Sequence, residues 1–266
     1  MIVKNQSAED YHANTAIGST TAKLVLKSMQ LYHDKLTGIY EVEDKGHFQI
    51  GRLAHMMVLE PDKFARCVVS SGPINPKTNN AYGRDTKAFA EWQAANPELT
   101  VVEPWFHTAL LRMPIEVRNA LRGGETEVSV YSDIDGLPVK CRCDHLRGTV
   151  ISDLKTIGDV DDWKRQVIRC GYWFSASWYR RVMRAETGLP HTFRLIFMEK
   201  KAPYRWRIVD LMADYVMHGD AKVEQVLTDI QQANKFQDWS DTGDVVQIAE
   251  LPEFMDETDD DEEEVA

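Results

Sequence analysis

The chain has 266 residues, 43% hydrophobic and 27% charged, enough to bury the core of one large domain or two small ones. No apolar run reaches the roughly 20 residues of a membrane span, and the N-terminus lacks the basic-then-apolar order of an export signal, so a cytoplasmic protein with no membrane partner is predicted. The net charge of −11 argues against a polyanionic partner only at first sight: eight acids lie in 256–266, and without them 34 acids face 31 bases. Like charges with little to bury predict a disordered acidic tail there, and 1–255 reads as a single domain.

Ser19, Thr20 or Thr21 can cap a helix running to about Leu36, which Gly38 ends. A second helix is predicted over 47–59, with Leu53, Ala54, Met57 and Val58 on its apolar side and Pro61 stopping it. Residues 70–83 are rich in turn formers and read as a surface loop. Helices over 84–95 and 105–122 complete a helical elaboration of the first hundred residues. The pattern then changes. Strands are predicted over 127–131, 138–146 and 149–155, with turns at Asp135-Gly136 and Arg147-Gly148. A long helix over 162–186, strands over 193–200 and 205–211, and a helix over 213–234 follow. The fold class is α/β (α+β), a mixed central sheet flanked by helices, with an αβββαβ core in 104–235.

If Arg147-Gly148 is a two-residue turn, Asp144 pairs with Ile151 and Arg142 with Asp153. Alternation then points Arg142, Asp144, Ile151, Asp153 and Lys155 to one face, with the two aspartates diagonal neighbours. Two carboxylates beside a lysine suit phosphodiester hydrolysis, while the string taken alone is better described as a surface hairpin with a salt bridge between Lys155 and an aspartate. Mg²⁺ takes one or two carboxylates plus a phosphate, and a lysine stabilises developing charge or orients a water. Cys141, Cys143 and His145 form a CxCxH string without a second ligand cluster, so they read as buried strand residues rather than a zinc site. Cys67 and Cys170 complete the cysteines, all read as reduced thiols.

The string GLPVKCRCDHL…VISDLKT, preceded by Gly51-x-x-x-His55, resembles the RecE-type and lambda-exonuclease-like, RecB-related exonucleases of the PD-(D/E)XK superfamily. The resemblance covers about 45–215. It implies a restriction-endonuclease-like core and a Mg²⁺ site, with Mn²⁺ able to substitute, on His55, Asp144, Asp153 and the Leu154 carbonyl. Lys155 would be catalytic. Glu127 would be a glutamate near the metal, though an exposed strand-end acid describes it equally. The family's Gln-x-x-x-Tyr element falls on Ser175 and Tyr179, and the serine departs from it. Residues 163–185 carry six bases and no acid, interleaved with aromatics that read mostly as core. Arg142, Arg169, Tyr172, Ser175, Tyr179, Lys77 and Arg84 are the DNA-binding candidates.

The resemblance further implies a 5′→3′ exonuclease acting on double-stranded DNA ends in phage or prophage recombination. It would leave 3′ single strands for an annealing protein and work as a trimeric or tetrameric ring. A RecB-like or CRISPR-associated nuclease, and a non-catalytic DNA- or partner-binding protein, are the alternatives. The cysteine spacing does not suit the iron–sulfur cluster common among CRISPR-associated nucleases.

Overall fold

The computed structural model describes residues 1–40, 47–69, 71–102 and 105–241. The predicted acidic tail, 256–266, lies outside them. The chain order is β1 (Ile2–Val3), α1 (Ala8–Ala13), α2 (Ser19–Val25), α3 (Met29–Leu36), α4 (His47–Leu59), α5 (Pro61–Cys67), β2 (Val68–Val69), α6 (Lys87–Ala95), β3 (Thr100–Val101), α7 (Trp105–Leu111) and α8 (Ile115–Ala120). Then come β4 (Glu125–Ile134), β5 (Leu137–Arg147), β6 (Val150–Ile157), α9 (Trp163–Arg169), α10 (Tyr172–Thr187), β7 (Thr192–Glu199), β8 (Trp206–Asp210) and α11 (Ala213–Phe236). Among the described residues no helix is long and apolar enough to cross a membrane.

A six-stranded sheet in the order β1-β4-β5-β6-β7-β8 forms the centre. All neighbours are antiparallel except β6 and β7, which α9 and α10 connect in parallel. Alternation along β6 and β7 feeds two cores. Ile151, Ile157, Phe193, Leu195 and Phe197 pack with α2, α3, α10 and α11 on one side. Leu154, Ile196 and Met198 pack with α4, α5, α7 and α8 on the other. Covered on both faces, β6 carries Val150, Ile151, Leu154 and Ile157, interrupted by the polar pairs Ser152-Asp153 and Lys155-Thr156.

Several predicted helices are interrupted. The first splits where the Ser28 side chain accepts the Leu31 N–H and starts α3 afresh. Pro61 ends α4 but also opens α5, a first-turn position needing no N–H donor. Pro114 divides 105–122 into α7 and α8. The predicted helix over 162–186 breaks at Gly171, whose φ of +62° ends α9 and redirects the chain into α10. The two-stranded β2–β3 sheet and β1, too short for a periodic signal, escape the sequence reading.

The β5–β6 turn falls on Gly148-Thr149 rather than Arg147-Gly148, so the register is Leu146↔Ile151 and His145↔Ser152. A shift of two residues keeps the parity of the β5–β6 pairing. The predicted common face is not kept along β5, however: Cys141, Cys143 and Leu146 all pack into the core that holds Ile151, so alternation breaks near Asp144 and Arg142 faces away from Ile151.

Candidate metal centre

Pairing around Asp144 lapses on both sides of β5. The β5–β6 ladder covers only three pairs and stops at His145↔Ser152, one step short of Asp144. The β4–β5 ladder pairs Thr126 with His145 and Val128 with Cys143, and skips Glu127 and Asp144 between them. Glu127 adopts φ +54° there, a left-handed conformation that costs a non-glycine residue about 1–3 kcal/mol and clusters at functional sites. The backbone groups released by this opening turn toward side chains. The Leu154 N–H donates to Asp144 Oδ2 at 2.7 Å, and the Leu154 carbonyl lies 2.7 Å from His55 Nε2. In a strand both groups of one residue point the same way, so Leu154 offers a donor and an acceptor to the same gap.

His55 comes from α4, packed over β6. Its other nitrogen, Nδ1, is 3.5 Å from Asp144 Oδ2. Gly51, one turn earlier, faces β6 near Thr156 without steric necessity: a Cβ there would meet Thr156 Oγ1 at an ordinary 3.9 Å. One ligand atom each from His55, Glu127 and Asp144 lies within 4.8 Å of the other two. Asp153 sits beside this trio, 3% exposed, with Oδ2 held by Lys155 Nζ at 2.5 Å.

Burial pushes the Asp144 carboxyl above its usual range, and Asp153 adds to the shift against the opposing pull of His55 and Lys155. Glu127 is likewise raised by burial and by Asp144, against the Arg142 guanidinium. Burial also works against the charge on Lys155, yet Asp153 and Asp144 outweigh it and hold the ammonium protonated. Clustered carboxylates disfavouring ionisation are a site that a divalent cation relieves. Imidazole nitrogen with carboxylate and carbonyl oxygen suits Mn²⁺ as well as Mg²⁺.

Residues 18–251 match the family described as a PDDEXK-like domain of unknown function (DUF3799). The chain belongs to this PDDEXK-like family. A solved candidate exonuclease from Eubacterium rectale has the same fold over 94% of this chain and 96% of its own, with a TM-score of 0.62 and 17% identity. The alkaline exonuclease LHK-Exo from Laribacter hongkongensis aligns over 57% of this chain and 84% of its own at 12% identity, with a TM-score of 0.28, too low for a structural argument. No curated protein matches the sequence.

Within this PDDEXK-like fold the predicted DNA contacts divide. Tyr172 stands over Lys155, whose Nζ is 5.6 Å from the ring centroid, and Tyr179 packs edge-on against Phe193. Arg169 is exposed at the end of α9, its Nη2 3.3 Å from Gln166 Oε1. Lys77 is exposed in the loop before α6, and Arg84 there donates to the Val101 carbonyl at 3.0 Å. Arg142 is committed inward: Nε donates to Glu127 Oε2 at 2.6 Å, Nη1 to the Ser7 carbonyl at 3.2 Å, and the guanidinium lies 5.7 Å from the Tyr11 ring. Arg180 and Arg181 pair with Asp220 and Glu224 of α11, so this end of the basic helix holds the fold together. Trp178 and Phe174 are core.

Cys141 and Cys143 are buried free thiols, and the Cys143 thiol is pushed up by its hydrogen bond to Cys141 and by burial. His145 Nε2 lies 2.5 Å from the Gly123 carbonyl, so the CxCxH string does not converge on an ion. Sequence reasoning missed Lys23 of α2. Its Nζ lies 3.1 Å from both Ser175 Oγ and the Cys170 carbonyl, and its electrostatic neighbours include Lys155 and Asp153. The surrounding Thr-Thr-Ala-Lys carries no signal that could have found it.

Crystals soaked in Mn²⁺ are expected to show the ion against His55, Asp144 and the Leu154 carbonyl, and His55→Ala is expected to weaken Mn²⁺ binding by about tenfold or more. Full occupancy with His55 turned away would remove it from the ligand set.

Proposed function

We propose that the chain is a Mg²⁺-dependent DNA exonuclease of the RecE type. The convergence of His55, Asp144 and Glu127 on the opened strand pair at Leu154, with Lys155 and Asp153 next along β6, carries this reading. His55, Asp144 and the Leu154 carbonyl would hold the cation, with Asp153 or Glu127 completing the set as the phosphate enters. When bound, the metal polarises a phosphoryl oxygen and acidifies a water. The chain's own residues do the rest. Lys155, kept charged by its two aspartates, steadies the negative charge that builds on the phosphoryl oxygens. Tyr172 beside it and Tyr179 line the approach from α10. Arg142 restrains Glu127 in its strained conformation.

In this reading the substrate is the end of a duplex, degraded 5′→3′ to leave 3′ tails for a single-strand annealing protein. A homo-oligomeric ring around the DNA, trimeric or tetrameric, would supply processivity, since no nucleotide-hydrolysis motif is present in the sequence. Linear duplex labelled separately at each end tests the assignment. Mg²⁺-dependent early release of 5′-terminal label is expected. Early loss of 3′ label would reverse the polarity, efficient cutting of closed circles would indicate an endonuclease, and no hydrolysis in Mg²⁺ or Mn²⁺ would leave a binding protein.

A further inference from the structure

α9 presents two unlike faces. Val167 is buried in the core, and Trp163 packs against it. Lys164, Arg165, Ile168 and Arg169 are exposed, and the helical repeat joins them into one outer face. Among the described residues none of the three cations has a carboxylate within ion-pair distance. Lys164 Nζ lies 5.7 Å from the Trp163 ring centroid, and Arg169 reaches Gln166 Oε1. Of the acids just before the helix, Asp159 and Asp161 pair with Arg205 and Arg207, which leaves Asp162 against three cations. On α10, by contrast, Arg180 and Arg181 are matched by Asp220 and Glu224. In the middle of the outer face of α9, Ile168 is 61% exposed. Unmatched positive charge around an exposed apolar side chain fits a polyanionic segment with a hydrophobic residue of its own.

The chain itself supplies such a segment. Phe254 and Met255 lead into 256–266, where eight acids stand with no base. Asp241, the last described residue, accepts a hydrogen bond from Ser28 Oγ at 2.8 Å, just past the end of α2. Lys23 of the same helix reaches the Cys170 carbonyl at 3.1 Å, next to Arg169. Chain extends by at most about 3.3–3.6 Å per residue, so the path from Cys170 through Lys23 and Ser28 to Asp241 spans less than roughly 35 Å, and 242–253 reach about 40 Å.

We propose that 254–266 docks in cis on the outer face of α9, its acids against Lys164, Arg165 and Arg169, with Phe254 or Met255 over Ile168. The contact is electrostatic and reversible, and it holds one polyanion where another could bind. In the nuclease reading above, on which this consequence alone rests, the docked segment competes with DNA for α9.

Zero-length coupling of carboxylates to lysine amines in the full chain, read as cross-linked peptides by mass spectrometry, tests the contact. At low salt a carboxylate of 256–264 is expected to couple to Lys164 several-fold more than to the exposed Lys27, next to Ser28, or Lys235, in the last turn of α11. Salt of about 1 M should abolish the preference, because it screens charges beyond about 3 Å. Arg165→Gln with Arg169→Gln should abolish it too, while leaving the Lys164 amine in place. Equal coupling to the three lysines, or a preference that the double variant does not move, overturns the proposal. So do links found only between isotope-labelled and unlabelled chains, which would place the segment on a neighbouring copy. Binding of a short duplex tests the consequence. Replacing the eight acids by Asn and Gln is expected to tighten binding about tenfold at low salt, and by less than about twofold when Lys164→Gln, Arg165→Gln and Arg169→Gln are also present. DNA affinity unchanged by loss of the acids would overturn the competition and leave the coupling to decide the contact. Failure of the unaltered chain to bind DNA would instead defeat the nuclease reading itself.

Discussion

Asp153→Asn and Lys155→Met are each expected to lower kcat by about 10³-fold or more, with the fold retained. In the nuclease reading both groups would stand at the reacting phosphate, which makes the expected effect large. Asp153 lies beside the trio of candidate ligands, and Lys155 holds the one charge on β6 that can face an oxyanion. The stability effects separate the two residues. Lys155→Met strips a nearly buried carboxylate of its partner, and an uncompensated buried charge is strongly destabilising. Because Lys155 is itself about one quarter exposed, the loss is discounted to on the order of 1–3 kcal/mol. Asp153→Asn leaves only a lysine that can still reach solvent. The double variant should therefore melt close to the unaltered chain while remaining inactive. Hydrolysis of end-labelled duplex and thermal melting on the three variants check this. Near-normal turnover in Asp153→Asn would remove that residue from the chemistry.

Gly219→Ala is expected to destabilise the fold by about 2 kcal/mol, and melting to fall by about 4–8 °C. An ordinary helix interior gains about 1 kcal/mol from this substitution, so the sign itself is diagnostic. Gly219 lies in the first third of α11, where α11 packs on α10. A Cβ there would stand 2.4 Å from Ser177 Oγ and 2.8 Å from the Trp173 carbonyl. The hydroxyl can turn aside, but the carbonyl is helix backbone and cannot. Adding Ser177→Gly should hence recover only part of the loss. Because α10 also carries Tyr172 and Ser175, separating the two helices is expected to reduce activity along with melting. A Gly219→Ala variant melting at or above the unaltered chain would show that the crossing yields more readily than its distances imply.

Much of this was legible in one dimension. Alternation in Arg142–Leu146 and Ile151–Lys155 placed the aspartates and the lysine on adjoining strands. Because side chains repeat every two residues, a turn misplaced by one position altered which residues pair without altering the parity of the pairing, but the break in alternation near Asp144 turned Arg142 off the face of Ile151. The spacing of Gly51 and His55 on an apolar helix likewise survived folding, since α4 needs only to cover β6 for His55 to reach Leu154. The sequence by itself therefore determined the fold class and the residues able to carry the chemistry. The tertiary structure alone decided how they are used. Whether Asp144 meets its partners in a closed ladder or in a gap depends on a left-handed residue, Glu127, that no local preference announces. Arg142, which by composition reads as a phosphate contact, turns inward because Glu127, Ser7 and Tyr11 converge on it from three segments. Lys23 meets the Cys170 carbonyl and Ser175 because Gly171 breaks a predicted helix and leaves room beside α10. Local periodicity sets which face a residue occupies, but pairing across more than a hundred residues sets what it touches, and charge is satisfied only in that second arrangement.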